Sequence, residues 1–256
     1  MPGPRPTSPV LVRLLGGLEV VRRDGTVVPP AAWRTGKTMD LFRMLALADG
    51  RPVRARTLTD ALWPASSPEH AGGSLRTAAS QIRRAVEADC VVRHPEGLVL
   101  EGAWVDVAVY RDHARHARLA FLDARLVDVL DHTRRAETLW AGDLSAYDET
   151  AAWARAERAA LRGLRSVLLA DAAEAALRTG ALREAVDLAQ QAIAVDPGAE
   201  AVHRTLMTAY AELGETAAAL RTFEGYRRQL AEELGADPSP QTRELHLRLL
   251  RGAGTD

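Results

Sequence analysis

Near Trp104 the hydrophobic pattern of this chain changes period, so two kinds of structure must lie on either side of that point. From Val10 the pattern is strand-like: VLVRLL, then LEVVRR, then Asp24-Gly25 as a hairpin signal, then TVV, closed by Pro29-Pro30. Three short antiparallel strands are expected. The period then lengthens, with Met39, Phe42, Leu45 and Leu47 on a helix ending near Asp49-Gly50, and TLTDALW as a second short helix before Pro64. A polar stretch, PASSPEHAGG, leads into SLRTAASQIRRAVEA as a third helix, after which VVRHP, Glu96-Gly97 and LVLEG read as a small hairpin. Residues 1–9, rich in Pro and Ser, are expected to be disordered.

Beyond Trp104 the chain reads as almost wholly helical, punctuated at Gly142, Gly180, Pro197, Gly214, Gly235 and Pro238. Superposing it on itself gives a period of 34: Gly180 falls on Gly214, Ala185 on Ala219, and Ala189 and Ala192 on Phe223 and Tyr226. A helix-turn-helix unit of that length is the tetratricopeptide period. The second unit lacks a matching proline and no clear third copy precedes the first, so a divergent array of stacked helix pairs is expected.

Length and composition bound the rest. A chain of 256 residues suits one large or two small domains, and a single cysteine excludes an internal disulfide framework. The sequence has no apolar run of about 20 residues and no apolar signal region at MPGPRPTSP, so no membrane anchor or signal peptide is expected and a cytoplasmic chain is. The formal net charge of −1 conceals an asymmetry: residues 1–100 carry 14 basic and 9 acidic side chains, whereas residues 101–256 carry 19 and 25. The front is basic (+5) and the back acidic (−6), which points to a polyanionic partner for the front alone.

On a helical wheel from Ser74 to Val86, Leu75, Ala79, Ile82 and Val86 form one narrow stripe with Ala78 at its edge. Arg76, Thr77, Ser80, Arg83 and Arg84 lie to the sides and opposite, so one face docks while the other presents guanidiniums and hydroxyls suited to base edges or phosphates. Ser74 is the expected N-cap, leaving a helix N-terminus open to an anion. Three helices with a basic third, then a hairpin carrying Arg93 and His94, is the order of a winged helix-turn-helix. Arg34 and Lys37 just before the first helix, and Arg54 and Arg56 just before the second, are candidate phosphate contacts.

The opening strands, DALW at 60–63, SLRTAASQIRRAV at 74–86 and VDVAVY at 105–110 resemble the response-regulator type winged helix of the Streptomyces antibiotic regulatory protein family. AETLWAGDL at 136–144, AAWARAERAAL at 151–161 and AEELGADPSPQTRELH at 231–246 resemble that family's tetratricopeptide-like bacterial transcriptional activator domain. The resemblance implies an α+β winged helix-turn-helix domain over residues 10–105 and an all-α domain over 106–251. It further implies that Arg76, Thr77, Ser80, Gln81, Arg83 and Arg84 read the major groove of promoter direct repeats, with residues 93–97 as the wing. A second copy of the chain on DNA, RNA polymerase contacted through its sigma subunit, a nucleoid-associated location and control of an antibiotic or other secondary-metabolite gene cluster are further implications. Two departures are Leu98, where family wings carry an aromatic, and Gly72-Gly73, where Asn is frequent.

Rival chemistries are weaker. AAWRTGKT at 31–38 fits a permissive phosphate loop, but its lead-in is Pro29-Pro30 and the loop holds Trp33 and only Gly36. Lys37 is better used on DNA phosphate. His113 and His116 read as a surface pair without a third metal ligand, Cys90 as packing, and Trp140 and Trp153 as anchors of the helical core. No enzyme activity, cofactor or metal is expected. The alternative to a DNA reader is a tetratricopeptide-like interaction scaffold whose front does not read DNA.

Overall fold

The structure, a computed structural model, describes residues 9–145 and 149–253. Residues 1–8, most of the stretch expected to be disordered, lie outside the described residues. The chain divides into two compact units: residues 1–111 with 138–161, and residues 112–137 with 162–256.

In the first unit, β1 (Val10–Arg13) pairs antiparallel with β2 (Glu19–Val21), with Val12 opposite Val20. The expected third antiparallel strand does not form, since Thr26–Val28 contributes only an isolated bridge from Val27 to Val21. The third strand is instead β5 (Ala103–Val105), which pairs parallel with β1 on its other edge, Val10 opposite Ala103. Val10 and Val12 thus sit on a central strand, each with 0% exposure, which is where an apolar β-branched residue belongs.

Between those strands lie α1 (Gly36–Leu47), α2 (Ala55–Leu62) and α3 (Pro68–Ala85), then the hairpin β3 (Val91–His94) and β4 (Gly97–Leu100). The α3 helix begins six residues earlier than Ser74. Its N-cap is Ser67, whose hydroxyl accepts the His70 N–H, and Pro68 occupies the first turn, where a missing N–H costs nothing. Ser74 is therefore helix interior, and the anion-binding terminus expected there does not exist. Ala71, Leu75, Ala78, Ala79, Ile82 and Ala85 are buried, as the wheel requires, against α1 and α2. Burying Leu75 and Ile82 alone is worth roughly 1.5 to 3 kcal/mol each.

Asp106, 2% exposed, opens α4 (Asp106–Leu122). Its carboxylate accepts the N–H groups of Leu14 and Leu15 at 2.9 and 3.0 Å and that of Val107 at 2.7 Å, tying the end of β1 to the helix. Burial pushes its pKa up, opposed by those three donors. Segment 138–161 returns to this unit: Trp140 lies 5.1 Å from the ring of Tyr110, and Leu144 bridges Leu15. Trp140 and Trp153 are therefore parts of the first unit and not anchors of the helical core.

The second unit contains the end of α4, α5 (Leu126–Glu137), the later part of α6 (Ala152–Arg178), α7 (Leu182–Val195), α8 (Glu200–Glu212), α9 (Thr216–Leu234) and α10 (Pro240–Ala253). Ala172, Ala173, Ala175, Ala176, Ala185, Ala189, Ala192 and Ala209 are all at 0% exposure, so small side chains set the close helix approach. The 34-residue period has a direct physical form. Gly180 and Gly214 adopt φ of +77° and +78°, and the following N–H in each turn reaches back to the helix, Ala181 to Ala176 and Glu215 to Tyr210, both at 2.8 Å.

A further turn of this kind precedes them. Ala124 adopts φ +55° between α4 and α5, and the Arg125 N–H reaches Ala120 at 2.8 Å. The helix hairpin α4–α5 is thus an additional unit of the array, 56 positions ahead of Gly180 instead of 34, because segment 138–161 intervenes.

Candidate nucleic-acid interface

The outer face of α3 and its surroundings collect most of the predicted site residues. Arg76, Thr77 and Arg84 are exposed, while Ser80, Gln81 and Arg83 are half-buried. Two concavities flank the helix. One, about 480 Å³, is bordered by Arg76 and Arg83 of α3 and by Arg93, His94 and Glu96 of the hairpin. The other, about 530 Å³, is bordered by Lys37 at the start of α1 and by His70, Ser74, Thr77 and Gln81 of α3.

The hairpin is held against the helix bundle by backbone. Val53, just before α2, exchanges hydrogen bonds with Leu98 at 2.8 and 3.0 Å. This is possible because residue 97 is glycine: a Cβ there would stand 2.0 Å from the Val53 carbonyl oxygen. Arg83 adds a side-chain tie, its Nε donating to the Val91 carbonyl at 2.7 Å. Part of the Arg83 fork is therefore committed to positioning β3. In His94, Nδ1 accepts the Glu96 N–H at 3.3 Å, which leaves Nε2 as the outward donor.

The remaining candidates are less gathered. Arg34, exposed between a one-turn 3-10 segment at Pro30–Ala32 and α1, borders neither concavity, nor do Arg54, Arg56, Ser80 and Arg84. Arg54 is the N-cap residue of α2 without a capping side-chain hydrogen bond, and Arg56 pairs with Asp60 at 3.5 Å. That ion pair is 92% and 68% exposed, so it holds Arg56 weakly and leaves it available to an external anion.

Two features escaped the sequence reading. Arg22 of the strand region donates from Nε and Nη2 to the Ala85 carbonyl at the C-terminus of α3. Thr38 of α1 donates to Gln81 of α3 at 2.7 Å. Neither carries a local signal, since each joins residues more than 40 positions apart. Cys90, expected as packing, is fully buried, and burial pushes its thiol pKa up, which keeps it protonated and unreactive.

In the second unit His132 of α5 joins the pair His113 and His116 of α4: His113 Nδ1 is 3.1 Å from His132 Nδ1, and the rings of His116 and His132 stack at 5.2 Å. Among the described residues no group of three or more His, Cys, Asp or Glu side chains is arranged to hold a metal ion. No described helix is long and apolar enough to cross a membrane.

The chain joins an α+β unit, with a basic helix between two concavities, to a tetratricopeptide-like helical array. Residues 105–250 match the bacterial transcriptional activator domain, and the chain belongs to that family. It is 33% identical over 240 residues to the regulatory protein AfsR of Streptomyces coelicolor, covering 90% of this chain but only 24% of AfsR. It is 28% identical to the regulatory protein DnrI of Streptomyces peucetius, covering 94% of this chain and 92% of DnrI. The chain thus spans about a quarter of the length of AfsR and nearly all of DnrI. The resemblance to the Streptomyces antibiotic regulatory protein family is borne out by these relatives.

Among solved structures, Mycobacterium tuberculosis EmbR, determined in complex with a low-affinity phosphopeptide, superposes with a TM-score of 0.78 at 24% identity. The match covers 95% of this chain and 65% of that one, and shows that the two share a fold.

Proposed function

We propose that this chain is a sequence-specific, DNA-binding transcriptional activator without enzymatic activity. The first unit acts as a winged helix-turn-helix: α3 enters the major groove, and the β3–β4 hairpin serves as a wing on the phosphate backbone. The observation that carries the reading is the division of α3, whose Leu75, Ala79 and Ile82 are buried while Arg76, Thr77 and Arg84 face solvent, with Arg76 bordering the same concavity as Arg93 and His94. A helix so divided is held rigidly on one side and offers guanidiniums and hydroxyls on the other, the groups that read base edges and phosphates. Residues 10–105 are assigned to DNA binding and residues 106–251 to self-association and contact with the transcription machinery, apart from 106–111 and 138–161, which pack into the first unit.

Family membership supports the rest of the reading: binding of two copies to promoter direct repeats, recruitment of RNA polymerase through its sigma subunit, a nucleoid-associated place in the cytoplasm, and control of a secondary-metabolite gene cluster. AfsR and DnrI, both named as regulatory proteins, agree with it. Footprinting on the DNA upstream of the protein's own gene tests DNA binding, repeat spacing and copy number together, and a shift assay across salt concentrations measures the number of phosphates neutralised. A footprint of two adjacent repeats with steep salt dependence is expected. No protection, or affinity indifferent to salt, would favour the interaction scaffold.

A further inference from the structure

The two ends of the Gln81 amide are not equivalent in this fold. Its Oε1 accepts the hydroxyl proton of Thr38 at 2.7 Å, and Thr38 is only 1% exposed. Thr38 Oγ1 lies 2.9 Å from Thr35 Oγ1, and Thr35, the N-cap of α1, accepts the Thr38 N–H at 3.1 Å. A chain of two hydroxyls, anchored on a helix N-terminus, thus ends on the carbonyl side of Gln81. Its Nε2 makes no hydrogen bond among the described residues, and Gln81 borders the concavity shared with Lys37, Ser74 and Thr77.

A glutamine whose amide is free reads adenine with both ends, accepting from N6 and donating to N7. Here one lone pair of Oε1 is engaged within the protein, and turning the amide to lay both ends on a base would give up that 2.7 Å bond and leave the buried Thr38 hydroxyl with Thr35 Oγ1 as its remaining partner. Resting on the DNA reading above, we propose that Gln81 is a donor-only contact. It takes a hydrogen-bond acceptor of the duplex, and Thr38 is the positioning residue that fixes its orientation. The acceptor is either a base edge rich in acceptors, guanine O6 and N7 or thymine O4, or a phosphate oxygen; the shared chemistry is an unprotonated oxygen or ring nitrogen. Adenine, which offers N7 beside the N6 donor, is then a poorer partner than guanine, and cytosine, which offers only the N4 donor in the major groove, is excluded.

The experiment selects sequences from a randomised duplex pool with the full chain. It compares wild type with Gln81→Ala, Gln81→Glu, Thr38→Val and Thr38→Ser, each checked for an unchanged helical spectrum and melting. Gln81→Ala should relax a guanine or thymine preference at one position by about fivefold if the acceptor is a base, or weaken all sequences alike by about that factor if it is a phosphate. Gln81→Glu still accepts from Thr38 but has no donor, and should lose at least as much. Thr38→Val should disturb the same readout, and Thr38→Ser should restore it.

An adenine or cytosine preference that depends on Gln81, or one that Gln81→Glu keeps, overturns the proposal, as does wild-type behaviour of Gln81→Ala or Thr38→Val. A wild-type chain that enriches no sequence and binds the pool without salt dependence overturns the DNA reading itself.

Discussion

The guanidinium of Arg22 closes the C-terminus of α3 by donating to one oxygen, the carbonyl of Ala85, from Nε at 2.9 Å and from Nη2 at 2.7 Å. A helix's last carbonyls have no partner within the helix, so this bond satisfies one of them and fixes where α3 ends relative to β2. Arg22→Ala should cost about 1 to 3 kcal/mol in urea unfolding, the range for a charge-assisted bond lost at a part-buried site. Arg22→Lys, which cannot present a planar fork, should recover only part of it.

Gly97→Ala should unseat the hairpin. The added methyl would stand 2.0 Å from backbone oxygen, a clash no rotamer relieves, so either the Val53–Leu98 pairing breaks or the hairpin shifts. A loss of about 2 kcal/mol or more and a weaker DNA shift are expected together. If stability falls while affinity is unchanged, the hairpin does not touch DNA.

Ala124→Gly should stabilise the protein by about 1 kcal/mol, because a left-handed residue with a Cβ carries strain that glycine lacks. Gly180→Ala and Gly214→Ala should each cost about the same, since their turns have the same hand. Thermal melts of the three variants measure all of this.

Arg76→Ala should relax preference at one base position at a cost of about 1 to 3 kcal/mol, whereas Lys37→Ala should weaken all sequences alike and reduce the salt slope by about one. Footprints and shift assays at several salt concentrations distinguish the two. If both leave binding unchanged, α3 is not in the groove.

Acid should weaken the helical unit. Burial holds the His113 and His203 pKa values below the ordinary 6.5; for His113 the neighbouring His132 and Arg135 lower it further while Asp112 opposes, and for His203 the Pro197 carbonyl, Glu200 and Asp196 oppose. With the folded values depressed, the unfolded chain binds protons first as pH falls. Their contribution is thus complete above about pH 6.5 and is lost as pH drops through that value toward the folded pKa. Urea unfolding at pH 7.5 and pH 5.5 should show this loss, and replacing both histidines with Gln should flatten it.

Much of the architecture was legible because local periodicity is local physics. Leu75, Ala79 and Ile82 recur at helical spacing and are buried, and Gly180 and Gly214 mark turns of the same hand. What the sequence concealed depends on distant partners or on exceptions. Ser74 was the expected cap because the polar stretch PASSPEHAGG precedes it, whereas the helix starts within that stretch at Ser67-Pro68. Ala124 hid a helix hairpin by occupying a glycine's conformation. The partner of β1 on its second edge lies some 90 residues away at Ala103, and no short pattern announces a parallel pairing of that span. In the candidate interface, the basic residues were visible by type, but the commitments of Gln81 to Thr38 and of Arg83 to Val91 were not.

The return of segment 138–161 to the first unit sets a timetable for synthesis. The central strand, β1, leaves the ribosome well before its second neighbour, which follows only at Ala103, and before Leu144, which bridges Leu15, later still. Until residue 161 has emerged, the front unit lacks its last packing layer while residues 112–137 already hang between its pieces. Long-range closure of this kind is slow. A nascent chain stalled at residue 105 would lack Asp106, Tyr110 and Trp140, leaving the Leu14 and Leu15 N–H groups without their carboxylate and the front unit without that ring pair.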